Sequence, residues 1–243
     1  MSRLAEIRAR STWRDILEGQ PQHAAMAVLM VAGACALMQA PDPNARLLGL
    51  SATQWAAVSI ALAVAHQVIV AVVFRLQLHR NVVSRLFGDQ DIRRWTMLFM
   101  PFLVARPLTV ILTGWADTVP IGLPPVAQWV VGAVLVVLAI VAMHSVLKHF
   151  TIRRAVGGDH FRDEIAEMPM VREGMFRFTD NAMYGIVFGG LWGIALLFDS
   201  WNALVLALFQ HAYIWVHMYC TEKPDMEWIY GDRSRVAANG TDR

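Results

Sequence analysis

Six apolar blocks, each near the roughly 20 residues a helix needs to cross a bilayer, constrain this chain more than any other feature. They cover approximately 24–38, 55–75, 95–115, 126–147, 183–198 and 203–219. A helix satisfies its own backbone hydrogen bonds, so blocks of this kind are read as helices in lipid. The first and fifth are short for a full span. Only Asp199-Ser200-Trp201-Asn202 separates the fifth from the sixth, which predicts antiparallel neighbours. Charged residues make up 16% of the chain, against about 25% in soluble proteins. The expected fold is all-α: one polytopic membrane domain of about six transmembrane helices.

Arginine placement predicts the orientation, because cationic loops resist translocation. Arg3, Arg8, Arg10 and Arg14 precede the first block. Arg75, Arg80, Arg85, Arg93 and Arg94 fill the second connection; Lys148, Arg153, Arg154, Arg162, Arg172 and Arg177 fill the fourth. The tail carries Lys223, Arg233, Arg235 and Arg243, whereas the first connection has Arg46 alone and the third and fifth have no Lys or Arg. Both termini are therefore expected in the cytoplasm, in a bacterial cytoplasmic membrane or the endoplasmic reticulum. Residues 1–22 alternate charge with Leu4, Ile7, Trp13, Ile16 and Leu17, a pattern for an amphipathic segment at the membrane surface. The net charge of +2 is too small to point to nucleic acid. Cys35 and Cys220 form no CxxC or metal-type spacing, so no metal centre is expected.

Polar chemistry gathers in two places. The fourth connection, about 148–182, is the longest, and Phe161, Ile165 and Met168 fall at helical spacing within it. The sixth block ends in HAYIWVHMYCTEKPDMEWIYG, which places His217, Tyr219, Glu222 and Glu227 around a membrane exit. The short turn between the fifth and sixth blocks brings these two clusters to one face. Arg106, before Pro107 inside the third block, costs about 2.5–3.5 kcal/mol to insert. It reads either as an anion or headgroup contact or as a side chain satisfied by carbonyls that Pro107 frees. Gly185, Gly189 and Gly193 form a GxxxGxxxG ridge, a close-packing face.

The segment Gly174 to Gly185 (GMFRFTDNAMYG) resembles the G-x-Y-R-Y-x-R-H-P-x-Y-x-G motif of the isoprenylcysteine carboxyl methyltransferase and phospholipid methyltransferase superfamily. Its Asp180-Asn181-Ala182-Met183-Tyr184 is most similar to the D-N-P-M-Y of phosphatidylethanolamine N-methyltransferases. YCTEKPDMEWIY, from Tyr219, resembles that family's E-E-P and I-Y, and Gly158-Asp159-His160-Phe161 its G-D-Y-F. Val72-Val73-Phe74-Arg75 and Ser84-Arg85-Leu86-Phe87-Gly88 resemble its V-V-x-R and S-R-x-F-G, so the likeness runs over about 70–231. Ala182 stands where the family has proline, Lys223 where it has a second glutamate, and Thr151-Ile152-Arg153-Arg154 where it has a glycine-rich G-x-G.

The resemblance implies S-adenosylmethionine as methyl donor and a membrane lipid entering from the bilayer as acceptor. The favoured acceptor is the amine of phosphatidylethanolamine or its partly methylated forms; a prenylated cysteine carboxylate or a small lipophilic thiol or amine is the alternative. On this reading Arg177, Asn181, Tyr184, Glu222 and Gly158 hold the donor, with Trp215 or Trp228 over its adenine. A protonated amine must lose a proton before attack, and His160, His217 and Asp180 are the candidate bases. Arg75, Arg85, Arg106 and Arg153, with Arg154, are candidates for the lipid phosphate. Two other classes fit parts of the pattern: a membrane cytochrome with His66 and His144 as haem ligands, although the two histidines lie at different depths, and a small transporter, although the chain shows no inverted repeat.

Overall fold

The computed structural model describes residues 1–240, with side chains to Gly231; the tail cations Arg233, Arg235 and Arg243 lie outside the described side chains. Every long element is a helix, and there are no strands among the described residues. Two short helices, α1 (Arg3–Arg10) and α2 (Trp13–Leu17), lead into α3 (Gln20–Leu37). Helix α4 (Ala52–Arg80) is followed by α5 (Val82–Phe87), α6 (Asp91–Ala116) and α7 (Pro125–Ser145). Single turns α8 (Ile152–Ala155) and α9 (Asp163–Ala166) lie in the fourth connection, and α10 (Phe188–Leu197), α11 (Trp201–His217) and α12 (Lys223–Gly240) complete the chain.

Four helical stretches among the described residues are long and apolar enough to cross a membrane: Ala52–Arg80, Val82–Ala116, Pro125–Phe150 and Trp201–Gly231. The first and fifth apolar blocks form the two shorter members, α3 and Met183–Leu197. At 1.5 Å per residue these reach about 27 and 22 Å, less than the hydrocarbon core of about 30 Å. The result is an all-α membrane bundle of four full-length helices and two shorter ones.

Local chemistry explains the ends. Ser51 and Gln54 form a reciprocal capping box at the start of α4, and Asn81, in the left-handed region at φ 55°, stops it. Pro125 occupies the first turn of α7, where its missing N–H is harmless. Asp199, at φ 48°, makes the tight turn after α10, and Ser200 Oγ then accepts from Ala203 N to cap α11.

Helix α11 is the hub, touching α3, α4, α6 and α10, while α4 lies along α6 and α7 along α10. Its Val205, Leu206, Phe209 and Tyr213 pack with Phe188, Leu191 and Ala195 of α10 and Ile60 and Ala63 of α4. Helix α7 leaves Val126, Trp129, Val130, Val134, Val137 and Ile140 exposed, a face suited to lipid. At the end poor in arginine, Asn202 Nδ2 donates to Gln39 O (3.0 Å) and to Asp117 Oδ1 (3.0 Å).

At the arginine-rich end the N-terminal segment turns inward. Leu4 and Ile7 are buried against Leu78, Ala166 and Ile229, while Trp13 and Leu17 stay exposed. The fourth connection also differs from the helix its spacing predicts. Phe161 and Ile165 are buried with Phe74 and Trp95, but only the turn Asp163–Ala166 is helical and Met168 is exposed. Arg162 holds the connection to the bundle through a two-pronged ion pair with Asp91, at 2.8 Å each.

Candidate active site

Three helices widen into a single π-turn at the same end of the bundle: Val146–Phe150 after α7, Met183–Val187 before α10 and Met218–Glu222 after α11. Such turns displace a residue from the regular ladder and recur at functional sites. Each of the three lends side chains to one cavity of about 640 Å³, among them Phe150, Tyr184 and Glu222. Helices α4 and α6 form its other wall, and residues 154–160 and 170–181 of the fourth connection cover it.

One wall is built around Glu222. Tyr184 Oη donates to Glu222 Oε1, and Asn181 Oδ1 accepts from Tyr184 N (3.0 Å), fixing the entry of the π-turn. His217 Nε2 lies 3.6 Å from Glu222 Oε1. His217 is fully buried, and neither of its ring nitrogens has a hydrogen-bond partner among the described residues. Trp215 stands on the same wall, edge-on to Tyr184 at 6.1 Å.

A second wall is a buried chain of charges. His160 Nδ1 lies 2.9 Å from Asp159 Oδ1 and its Nε2 lies 3.2 Å from Asp225 Oδ2. Tyr230 Oη donates to Asp159 Oδ2 (2.8 Å), and Phe74 stacks on the imidazole at 4.2 Å. Burial alone would lower the pKa of His160, but the two carboxylates override it and raise it to about 10. Burial likewise pushes Asp159 up, and the neighbouring imidazolium with the Tyr230 hydroxyl brings it below the usual carboxylate value. Arg75 closes the chain: its NH1 lies 2.9 Å from Asp225 Oδ1 and its NH2 donates to Glu18 O (2.9 Å).

The cavity thus gathers His160, His217, Asp180, Asn181, Tyr184, Glu222 and Arg106 from distant parts of the sequence. It does not gather the remaining candidates. Arg75 is buried in the ion pair with Asp225, and Arg85, Arg153 and Arg177 are exposed away from the cavity wall. Gly158 sits behind the wall, where a Cβ would lie 2.4 Å from Arg153 O, so it serves close backbone packing. Arg154 lines the cavity in place of Arg153, donating to Pro169 O (3.0 Å). Trp228 lies outside it, beside His79. His66 faces the cavity while His144 is exposed on α7, so the two are not a facing pair. The sequence offers His66 only as a haem ligand and does not single out Gln67 and Asp159 on the wall or Asp225 behind it; Asp159 lies within the Gly158–Phe161 motif and Asp225 within the Tyr219–Tyr230 segment, but nothing local distinguishes Gln67.

Residues 127–233 match the family model for phospholipid methyltransferases. The chain is 28% identical over 114 residues to a phosphatidylethanolamine N-methyltransferase of Meyerozyma guilliermondii, covering 46% of this chain and 13% of that protein. It is 29% identical over 105 residues to the protein of the same name from Clavispora lusitaniae, covering 42% and 12%. Over 74 residues it is 31% identical to that of Scheffersomyces stipitis, covering 30% and 9%. The chain therefore matches only about an eighth or less of the length of these relatives. No solved structure matches it. The stretch that matches the family model contains all three π-turns and Glu222.

Proposed function

We propose that this chain, a relative of the phospholipid methyltransferases over residues 127–233, transfers a methyl group from S-adenosylmethionine to the amine of phosphatidylethanolamine or its mono- or dimethyl forms. The observation that carries the reading is the Tyr184–Glu222–His217 cluster, which joins the family's two polar segments on one cavity wall. The cavity opens, on this reading, at the cytoplasmic leaflet, where a soluble donor and a lipid meet.

The donor supplies a methyl already activated by its sulfonium, so the protein's task is alignment more than acid or base power. Glu222, aligned by Tyr184, accepts hydrogen bonds from the donor's ammonium or ribose hydroxyls. Asn181 and Trp215 flank the same space, Trp215 offering an aromatic face. Asp180, exposed at the rim of the cavity, meets the acceptor's ammonium as it enters.

Of the candidate bases, geometry favours His217. A base needs a free ring nitrogen, and His217 has two unpartnered nitrogens at the cavity wall. His160 holds its proton between Asp159 and Asp225 and serves as a fixed cation. Proton transfer from the acceptor's ammonium to His217 would leave a neutral amine, whose lone pair would form the N–C bond to the donor's methyl as the S–C bond breaks and the sulfonium leaves as a neutral thioether.

The test is to incubate the purified chain with labelled S-adenosylmethionine and a panel of lipids. Label is expected in the phosphatidylethanolamine fraction; label in none of the phospholipids overturns the acceptor, and absence of donor binding overturns the class. Glu222→Ala is expected to lose donor binding while remaining folded in detergent, and unchanged donor affinity in that variant refutes this placement of the site.

A further inference from the structure

The inner end of the cavity holds a cation with no anion. Arg106 is 2% exposed and lies on the cavity wall within the membrane-spanning part of α6. Its Nε donates to Gln210 Oε1 (2.9 Å), its NH2 to Gln210 O (3.3 Å), and its guanidinium stands 4.9 Å from the Phe188 ring centroid. It makes no ion pair among the described residues. Carbonyls near Pro107 do not satisfy it, because its two hydrogen bonds go across to α11.

Two more polar groups share this end. His66 is 3% exposed with both ring nitrogens unpartnered, and Gln67 is 2% exposed with its Nε2 unpartnered. Both line the cavity. Ser59 and Thr109 are hydrogen-bonded at 3.0 Å, which registers antiparallel α4 and α6 and puts His66 and Arg106 about a turn apart. A buried charge without a counter-ion is strongly destabilising, as is a buried donor without an acceptor. Three such groups converging on one cavity describe a site whose missing partner is an oxyanion.

The cavity's polarity agrees. From Gln67 to Phe74 is about 10 Å along α4 at 1.5 Å per residue, and Phe74 stacks on His160 beside Asp159. The inner end carries the Arg106 guanidinium, while Glu222 and the exposed Asp180 put carboxylates on the part of the wall nearer the arginine-rich end. A zwitterionic ligand with its anionic group inward and its ammonium outward matches both ends.

We propose that Arg106, Gln67 and His66 form an oxyanion subsite for an anionic group of one of the two substrates, the phosphodiester of the acceptor lipid or the carboxylate of the donor. The proposal rests on the methyltransferase reading of the cavity. Arg106 supplies the charge, Gln67 Nε2 and a ring N–H of His66 add directed donors, and Gln210 holds the guanidinium in place.

The test uses the full chain in detergent with S-adenosylmethionine, phosphatidylethanolamine and phosphate-free diacylglycerol as binding probes. Gln67→Leu and His66→Phe remove donors that no protein group needs, so melting temperature is expected to hold or rise. Affinity for one charged probe is expected to fall by about tenfold or more, as loss of a hydrogen bond to a charged group does. Arg106→Lys should lose less than Arg106→Gln. Loss toward phosphatidylethanolamine alone identifies the phosphodiester, and loss toward S-adenosylmethionine alone the carboxylate. If the unsubstituted chain binds either charged probe and the Gln67 and His66 variants stay within about twofold for both, the subsite is overturned and the methyltransferase reading stands. Equal weakening toward diacylglycerol, or weakening that only accompanies a lower melting temperature, also overturns it. An unsubstituted chain that binds neither charged probe overturns both readings.

Discussion

His160 shows how a residue's neighbours decide its role. A histidine beside a cavity invites reading as a base, yet Asp159 and Asp225 grip both ring nitrogens and Phe74 covers the face. Tyr230 and Arg75 complete the chain from the other side of the two carboxylates. The pKa of His160 rises from 6.5 to about 10 on folding, so its contribution to stability is complete below about pH 6.5 and is lost as pH rises through about 10. The melting temperature in detergent should therefore fall over that range, and His160→Gln should narrow its gap to the unsubstituted chain as pH rises. A gap that stays constant from pH 6.5 to 10 contradicts the imidazolium assignment. Asp159, held below its ordinary value, contributes the opposite way: its share is present above about 3.8 and is lost as pH falls below that.

Among elements, the pairing of α7 with α10 shows what a glycine pattern can and cannot say. Spacing points to Gly185, Gly189 and Gly193 as one packing ridge. In the fold only Gly193 of these three is in close contact, joined by Gly190. A Cβ on Gly193 would lie 2.7 Å from Gly132 O and 2.9 Å from Val136 Cγ2, and one on Gly190 would lie 2.7 Å from Ala139 Cβ. A Cβ on Gly185 would meet nothing within 4 Å. The π-turn over Met183–Val187 shifts the helical phase between Gly185 and Gly193, so the ridge breaks there. Gly193→Ala is expected to cost about 1–3 kcal/mol by overpacking, read as a lowered denaturation midpoint, while Gly185→Ala leaves stability within about 0.5 kcal/mol. Equal effects of the two contradict this account of the interface.

For the whole molecule, the N-terminal segment ties the arginine-rich end together. Leu4 N donates to Asp163 Oδ1 (2.9 Å), Arg75 NH2 donates to Glu18 O (2.9 Å), and Ile7 is buried against Leu78 and Ile229. Ile7→Ala should destabilise the chain by about 2–5 kcal/mol, whereas exposed Trp13→Ala should change it by no more than about 0.5 kcal/mol, both measured by unfolding in detergent. Local sequence is enough to specify a helical membrane protein, because the length of an apolar run and its lack of charge are local properties that a bilayer reads directly. It also marks the polar segments that supply the cavity wall, since Asn181, Tyr184 and Glu222 lie in motifs of fixed spacing. Which cations face the cavity depends on how the helices pack. Arg75 looks like a substrate contact until Asp225 is seen to claim it, and Arg154 replaces Arg153 because one residue along a helix turns a side chain by about 100°. His66, Gln67 and Arg106 line one cavity only when α4 and α6 pack in register. Partnership and burial belong to the packed bundle, and no local stretch of sequence contains them.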